Sequence, residues 1–365
     1  MAGRYSVPRN YVAGAADSSV IQAGNQVRFR NTLLLSLFIM TGAVMAQAKE
    51  RNIEIRTSID SKYLFCEVKT NGVPGYDNRA SAMRGEGAGT TSTNSYITMS
   101  NGANDLTVEV GALDWFAKNA AGIENKNTFN PAAYCKAEMT LVDYDNDRVV
   151  NLATLDIRIN EQGQPEAYRN NVPDKTVVFK ETTAHPTELV TKNKATSGNI
   201  NRRAYPDNMT LYQFTQSFTV SGLPDWQWVH SESYTGSPEQ IALLKEAYSE
   251  LWLALKNKDI KKVRKLHTPA AEAWAITTQS TADRILDSQR YNTIYDEKHA
   301  EMKTIDWDNF YIISMNNGKM VRMVYKETLR FSPVGVSYID GDGDKSSYFF
   351  SPIFSLVNGK YIPVI

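Results

Sequence analysis

The stretch from Ser237 to Trp274 reads SPEQIALLKEAYSELWLALKNKDIKKVRKLHTPAAEAW, and here the spacing of apolar residues changes from two to 3.6. Ser237 is a good helix N-cap, with Pro238 at the first helical position and Gln240 completing a capping box. Ile241, Leu244, Tyr248, Leu251 and Leu255 follow at intervals of 3, 4, 3 and 4, which puts them on one stripe facing a core. Asn257 and Lys258 end that helix. Asp259 caps a second, with Ile260, Val263 and Leu266 turned inward. Thr268-Pro269 restarts a short third helix through Trp274, and Ser280 or Thr281 opens a fourth carrying Ile285, Ile294 and Met302.

Upstream, the chain from Arg51 to about Tyr234 has the period of strands. NIEIRTSI, KYLFCEVKT, SYITM, DLTVEVGAL, CKAEMTLVDY, TLDIRI, KTVVFKET, LYQFTQSFTV and DWQWVH are short, alternating or apolar, and rich in β-branched and aromatic residues. Turn signals such as Asn71-Gly72, Pro74-Gly75 and Gln162-Gly163 separate them. This pattern predicts an antiparallel β-sandwich of immunoglobulin-like or jelly-roll type. Downstream of the helices strands return, and Asn317-Gly318 and Asn358-Gly359 are strong hairpin signals. The expected fold class is therefore two-domain, β + (α+β). Residues 49–235 form the β-sandwich domain and residues 236–365 an α+β domain with helices on one face of a curved antiparallel sheet.

The segment EAYSELWLALKNKDIKKVRKLHTPAAEAW, followed by hairpins ending FSLVNGKYIPVI, resembles the cystatin-like α+β roll of the ketosteroid isomerase and nuclear-transport-factor superfamily. The resemblance covers the last third of the chain and lies in pattern rather than in diagnostic residues. It implies a sheet curled around the helices into a cone that can hold a small molecule. That fold hosts enzymes, ligand binders and interaction domains alike, so it does not select a function.

The first 48 residues read as a leader. Arg28 and Arg30 precede an apolar core from Leu33 to Val44, and Ala46-Gln47-Ala48 supplies the small residues of a signal-peptide cleavage site. That core is well short of the roughly 20 residues needed to cross a bilayer, so no permanent membrane span is expected. Residues 1–26 are polar and without periodicity, and are read as lying upstream of a true start at Val27. Cleavage near Ala48 removes four arginines and one aspartate, leaving 36 basic against 39 acidic residues, a net of −3. Such a balance gives no footprint for nucleic acid. The two cysteines, Cys66 and Cys135, then enter an oxidising compartment and are expected to pair as a disulfide.

Chemistry is sparse. His185, His230, His267 and His299 form no H-x-x-x-H pair, and Glu297 and His299 two apart would diverge on a helix. Asp143, Asp145, Asp147 and, more so, Asp340, Asp342, Asp344 have the spacing that opens a calcium loop. Both runs fail at the sixth position, Arg148 and Lys345, and at the twelfth, Thr154 and Ser351, so the second is only a weak calcium candidate. No motif implies a cofactor or a catalytic residue. The run RGEGAGTTSTNS from Arg84 to Ser95 lacks the order of a phosphate loop and reads as a mobile surface loop where a partner could dock through Arg84 and Glu86. Inside the cone, His267 and Asp306 are the polar candidates, with Tyr248, Trp252 and Trp274 as lining. Trp226 and Trp228, two apart in a strand, would share a face, either as an apolar seam or as an exposed platform for a carbohydrate or a protein.

These readings converge on an exported periplasmic, non-enzymatic protein that binds another protein. One concrete form is an immunity or inhibitor protein directed at an effector enzyme of the envelope. The alternatives are a small-molecule binder or enzyme using the C-terminal cone, and a carbohydrate-binding module.

Overall fold

The computed structural model describes residues 52–117, 120–184, 205–206, 208–326 and 331–365. The expected signal segment and cleavage site near Ala48, together with residues 1–26 and His185, lie outside the described residues. The chain is rich in antiparallel sheet, with four sheets and few helices.

The first sheet has the order β4-β1-β6-β7-β8-β9, formed by β1 (Ile53–Lys62), β4 (Gly89–Asn94), β6 (Tyr134–Asp143), β7 (Arg148–Ile159), β8 (Pro165–Arg169) and β9 (Val172–Pro173). The second has the order β10-β11-β5-β2-β3, with β2 (Phe65–Thr70), β3 (Val73–Asp77), β5 (Gly102–Gly111), β10 (Val178–Thr183) and β11 (Thr210–Val220). Alternation decides which residues turn inward. Ile53, Ile55 and Ile59 of β1, and Cys135, Ala137 and Met139 of β6, meet Cys66, Val68, Val108 and Val110 from the second sheet in one buried cluster. The expected disulfide between Cys66 and Cys135 is present. It joins β2 to β6, hence one sheet to the other, across a sequence separation of 69 with Cα atoms 6.3 Å apart.

Three local expectations are corrected here. SYITM is not a strand: Tyr96–Thr98 form a 3-10 turn, because Asn94 accepts from the Tyr96 amide at 3.1 Å and Thr98 hydroxyl donates to the Ser95 carbonyl at 2.9 Å. DWQWVH is not one either, since Gln227–His230 form a second 3-10 turn. The glycine-serine-threonine run is only partly a loop. Gly89–Asn94 is strand β4, paired with β1 from Ser61↔Gly89 to Arg56↔Asn94, its β-branched threonines suiting an edge. Arg84 to Ala88 form the surface turn leading into it, after the short helix α1 (Arg79–Ala82). Asn78 anchors this turn from below. Its amide group donates to the carbonyls of Leu64 and Gly87 at 2.9 and 3.0 Å and accepts from the Cys66 amide at 2.8 Å. Gly87 has φ +54°, and a Cβ there would lie 2.5 Å from the Leu64 carbonyl, so this turn requires glycine.

Helix α2 (Pro238–Lys256) starts on Ser237, which accepts from the Gln240 amide at 3.2 Å, and it buries Leu244, Tyr248, Leu251 and Leu255. Helix α3 runs unbroken from Ile260 to Thr277, capped by Asp259. The expected break at Thr268-Pro269 does not occur. Pro269 removes one backbone donor, but the helix continues, and the Thr268 hydroxyl donates to the Arg264 carbonyl at 3.0 Å. The fourth helix is shorter than its pattern suggested. It is α4 (Ala282–Asp287), ended by Asn292, whose side chain donates to the carbonyls of Leu286 and Asp287. Ile294 and Met302 fall beyond it, in a 3-10 turn and in strand β12 (Lys298–Met302), so His299 lies on a strand and not on a helix.

The remaining strands make two sheets, not one. They have the orders β12-β15-β16 and β13-β14-β17-β18, with β13 (Phe310–Met315), β14 (Met320–Tyr325), β15 (Val334–Ile339), β16 (Lys345–Phe350), β17 (Phe354–Val357) and β18 (Lys360–Pro363). The four-stranded sheet contributes residues to two cores. Ile312, Val321, Met323 and Phe354 pack with Tyr248 and Leu251 of α2, while Ile313, Met315, Met320 and Val324 join the cluster between the first two sheets. Polar ties accompany that contact: the Asn316 amide donates to the Asn71 carbonyl at 3.0 Å, and its side chain to the Thr98 carbonyl at 3.1 Å. The core is therefore continuous across residue 235.

Candidate binding site at the seam

After β11 the chain crosses from one half to the other through Gly222-Leu223-Pro224-Asp225, and Asn101 fixes this crossing. Its side chain accepts from the Leu223 amide at 2.9 Å and donates to the Leu223 carbonyl at 3.0 Å. The two tryptophans that follow are buried, each only 3 % exposed. The Trp226 indole donates to the Met99 carbonyl at 2.7 Å, and the Trp228 indole to the Ile97 carbonyl at 3.1 Å. Tyr96 meets Trp226 edge to face at 5.4 Å. Burial with both indole N–H groups satisfied removes the exposed-platform arrangement, for which a ring face must be open to solvent.

Helix α3 lies opposite. Pro269, Glu272, Ala273 and Ile276 are spaced i, i+3, i+4 and i+7, which is one stripe of a helix. That stripe and the tryptophan turn line a cleft of about 530 Å³, with Tyr96, Leu223 and Val364. A second depression of about 630 Å³ continues it, sharing Glu272 and Ile276 and reaching Asn52, Gln279 and Ala282. The two form a groove at the junction of both halves, a usual place for a binding site. Asp225 and Glu272 are its charged residues. Asp225 is 2.7 Å from the His230 ring in an exposed pair, and Glu272 has no ion-pair partner among the described residues.

The other candidates are dispersed. Arg84 and Glu86 pair with each other at 3.3 Å on the surface. His267 is far from that pair in role: its Nδ1 faces the Val263 carbonyl at 3.0 Å, so it carries the proton there, and the ring packs on Tyr291 at 5.7 Å. Burial lowers the pKa of this imidazole and so disfavours its charged form. Asp306 caps a turn, accepting from the Asp308 amide and from Asn309. Trp252 donates to the Lys303 carbonyl, and Tyr248 accepts from the Met323 amide at 2.8 Å inside a space packed by Leu251, Phe354 and Val336. Trp274 is half-buried on α3. Asp340 accepts from the amides of Asp342 and Asp344 and from Ser346, so it shapes the β15–β16 hairpin tip. No three acidic, histidine or cysteine side chains are grouped to hold a metal among the described residues.

One cluster has no counterpart in the sequence reading. On the outer face of the second sheet, Lys69 lies 2.8 Å from Glu109 and 3.6 Å from Glu67, and Gln213 donates to Glu109 at 2.8 Å. Tyr205 closes over them, its hydroxyl donating to Glu67, and Arg79 stacks on the Tyr205 ring at 4.6 Å. Glu67 and Glu109 are each only 7 % exposed. Burial pushes the Glu67 carboxyl up, but Lys69 and Arg79 outweigh it and hold the group below its ordinary value. Burial and the Glu67 charge raise Tyr205 well above the usual phenol range. Alternation did place Glu67, Lys69 and Glu109 on one face. Nothing local announced that Tyr205, 138 positions from Glu67, would cover it.

No protein-family model matches the chain, and no curated protein or solved structure matches it either.

Proposed function

We propose that the chain is an exported, periplasmic, non-enzymatic protein that acts by binding another protein, in the manner of an immunity or inhibitor protein of the envelope. Its fold is read as a β-sandwich of immunoglobulin-like or jelly-roll type followed by a cystatin-like α+β roll. The observation that carries the binding role is the groove along α3. Its first depression is lined mainly by apolar side chains and its second by a mixture of polar and apolar ones, it is longer than a single small-ligand cleft, and it is built from segments on both sides of residue 235. Interfaces draw most of their energy from apolar anchors seated in such recesses. The buried Cys66–Cys135 bridge is consistent with export, where disulfides persist. The two rival readings have less behind them: the space around Tyr248 is packed with side chains, and the tryptophan rings are covered.

The test is affinity purification of the tagged chain from the bacterial envelope. The reading requires a stoichiometric partner, lost on Ala273→Trp, and an exported species beginning at Lys49 by mass. Retention in the cytoplasm, or no partner at all, would refute it.

A further inference from the structure

Resting on that protein-binding reading, the groove also describes its occupant. Of the residues lining its two depressions, only Asp225 and Glu272 are charged, and both are acidic. Every other wall residue near them is apolar or neutral, including Trp226, Trp228, Ala273 and Ile276. Asp225 is already shared with His230 at the rim, but Glu272 stands exposed on the apolar stripe of α3 with no ion-pair partner among the described residues. An anionic segment entering here would meet two like charges at the rim, a modest repulsion because both carboxylates are exposed. A cationic one would find its complement.

The length follows from the helix. The wall from Pro269 to Gln279 spans about 15 Å at a rise of about 1.5 Å per residue. About five residues of extended chain, at about 3.3 Å each, would fill it. A sugar is disfavoured because the ring faces of Trp226 and Trp228 are covered, leaving no stacking surface.

We propose that the groove receives a segment of about five residues from a partner protein, in which an apolar anchor seats against the partly exposed Pro224, Ala273 and Ile276 and a neighbouring lysine or arginine faces Asp225 and Glu272. This makes the site an interaction surface selective for apolar-basic sequence. Electrostatic complementarity then supplies selectivity and the apolar anchor supplies most of the affinity.

The experiment measures fluorescence anisotropy of four labelled synthetic peptides on the purified protein. Each has Gly-Ser flanks around a centre that is apolar-basic (Leu-Phe-Lys-Lys), apolar-acidic (Leu-Phe-Glu-Glu), apolar-neutral (Leu-Phe-Gln-Gln) or polar-basic (Ser-Ser-Lys-Lys). The apolar-basic peptide should bind at least about tenfold tighter than the other three, the size of one well-placed charge contact. Glu272→Lys combined with Asp225→Lys should invert the preference toward the acidic peptide. Ala273→Trp should abolish binding, and the exposed Glu272→Lys change alone gives a second readout that does not depend on packing. Equal binding of all four peptides, binding by none, or binding that survives both changes would overturn the inference. A partner still captured from the envelope by Ala273→Trp would sink the groove while leaving protein binding intact, whereas no captured partner removes the wider reading.

Discussion

The outer face of the five-stranded sheet and the groove along α3 lie in the same molecule but dispose of charge in opposite ways. On the sheet face Glu67, Lys69, Glu109, Arg79 and Tyr205 are drawn together and buried, and the two carboxylates are held by Lys69 and Tyr205. In the groove, Pro224, Ala273 and Ile276 stay partly exposed, and of the two carboxylates at their edge Asp225 meets His230 while Glu272 has no ion-pair partner among the described residues. A buried network whose carboxylates are already paired has little to offer a partner and serves the fold. An apolar recess with one unpaired carboxylate, Glu272, at its edge is a surface that a cationic partner would complete.

That contrast is broken most forcefully by Lys69→Met. Removing the cation leaves Glu67 and Glu109 buried without the ion pairs that Lys69 supplies, with Arg79 and Arg322 as the further cations acting on Glu67, and losing one partner of a buried ion pair costs about 3–5 kcal/mol. Urea unfolding should show a loss of that size. A loss below about 1 kcal/mol, the range of exposed pairs, would mean the network is solvated. The pH dependence sharpens the same point. Because the Glu67 carboxyl is held below its ordinary 4.5, its stabilising contribution is present above 4.5 and is lost as pH falls through the lower folded value. The Lys69 amine is opposed by burial but raised overall by Glu67 and Glu109, so its contribution is present below 10.5 and is lost as pH rises through the higher folded value. In Lys69→Met the gap from the parent protein should narrow toward acid, where protonation relieves the stranded carboxylates. Parallel curves would contradict the assignment.

Replacing both Cys66 and Cys135 with alanine should cost about 2–4 kcal/mol, measured by denaturant midpoint at constant m. Cys66 points into the core from the strand whose opposite face carries Glu67 and Lys69. If the bridge and the ion network each secure β2 separately, the acid profile of the reduced variant keeps its shape and only shifts downward. A flattened profile would show that the network forms only when the sheets are tied.

What could be read beforehand divides along the same line. The period of Ile53, Ile55 and Ile59, the Ser237 cap, the stripe through Leu244, Tyr248 and Leu251, and both Asn-Gly turns are local signals, and each matches the structure. Asn317 and Asn358 take φ of +53° and +50°, as such turns require. The errors came where distant partners decide. Trp226 and Trp228 alternate like strand residues, but the carbonyls of Met99 and Ile97 capture their indoles and leave a 3-10 turn. Pro269 looks like a helix stop, yet α3 packs through Val263, Ala270 and Ala271 on both sides of it. The groove was half visible: the Pro269, Ala273, Ile276 stripe has helical spacing, but only the fold says what it faces.

Asn101→Ala attacks the groove without touching its lining. It removes the two bonds that pin the Leu223 backbone, and leaving those buried groups unpaired costs about 1–3 kcal/mol. Thermal unfolding should register it, and the apolar-basic peptide should bind more weakly because the tryptophan turn loses its hold on position. Unchanged peptide affinity would place the productive wall on α3 alone.

The smallest expected effect is at Arg84 and Glu86, the surface pair that the sequence offers as a docking point. Both side chains are more than half exposed, at 61 % and 58 %, and they pair chiefly with each other. Such a bridge contributes little, so Arg84→Ala with Glu86→Ala should move stability by no more than about 0.5 kcal/mol. If α3 carries recognition, capture of the envelope partner should also survive the double change. Loss of the partner with stability intact would transfer the binding surface to the turn before β4, and the groove's open carboxylates would then need another explanation.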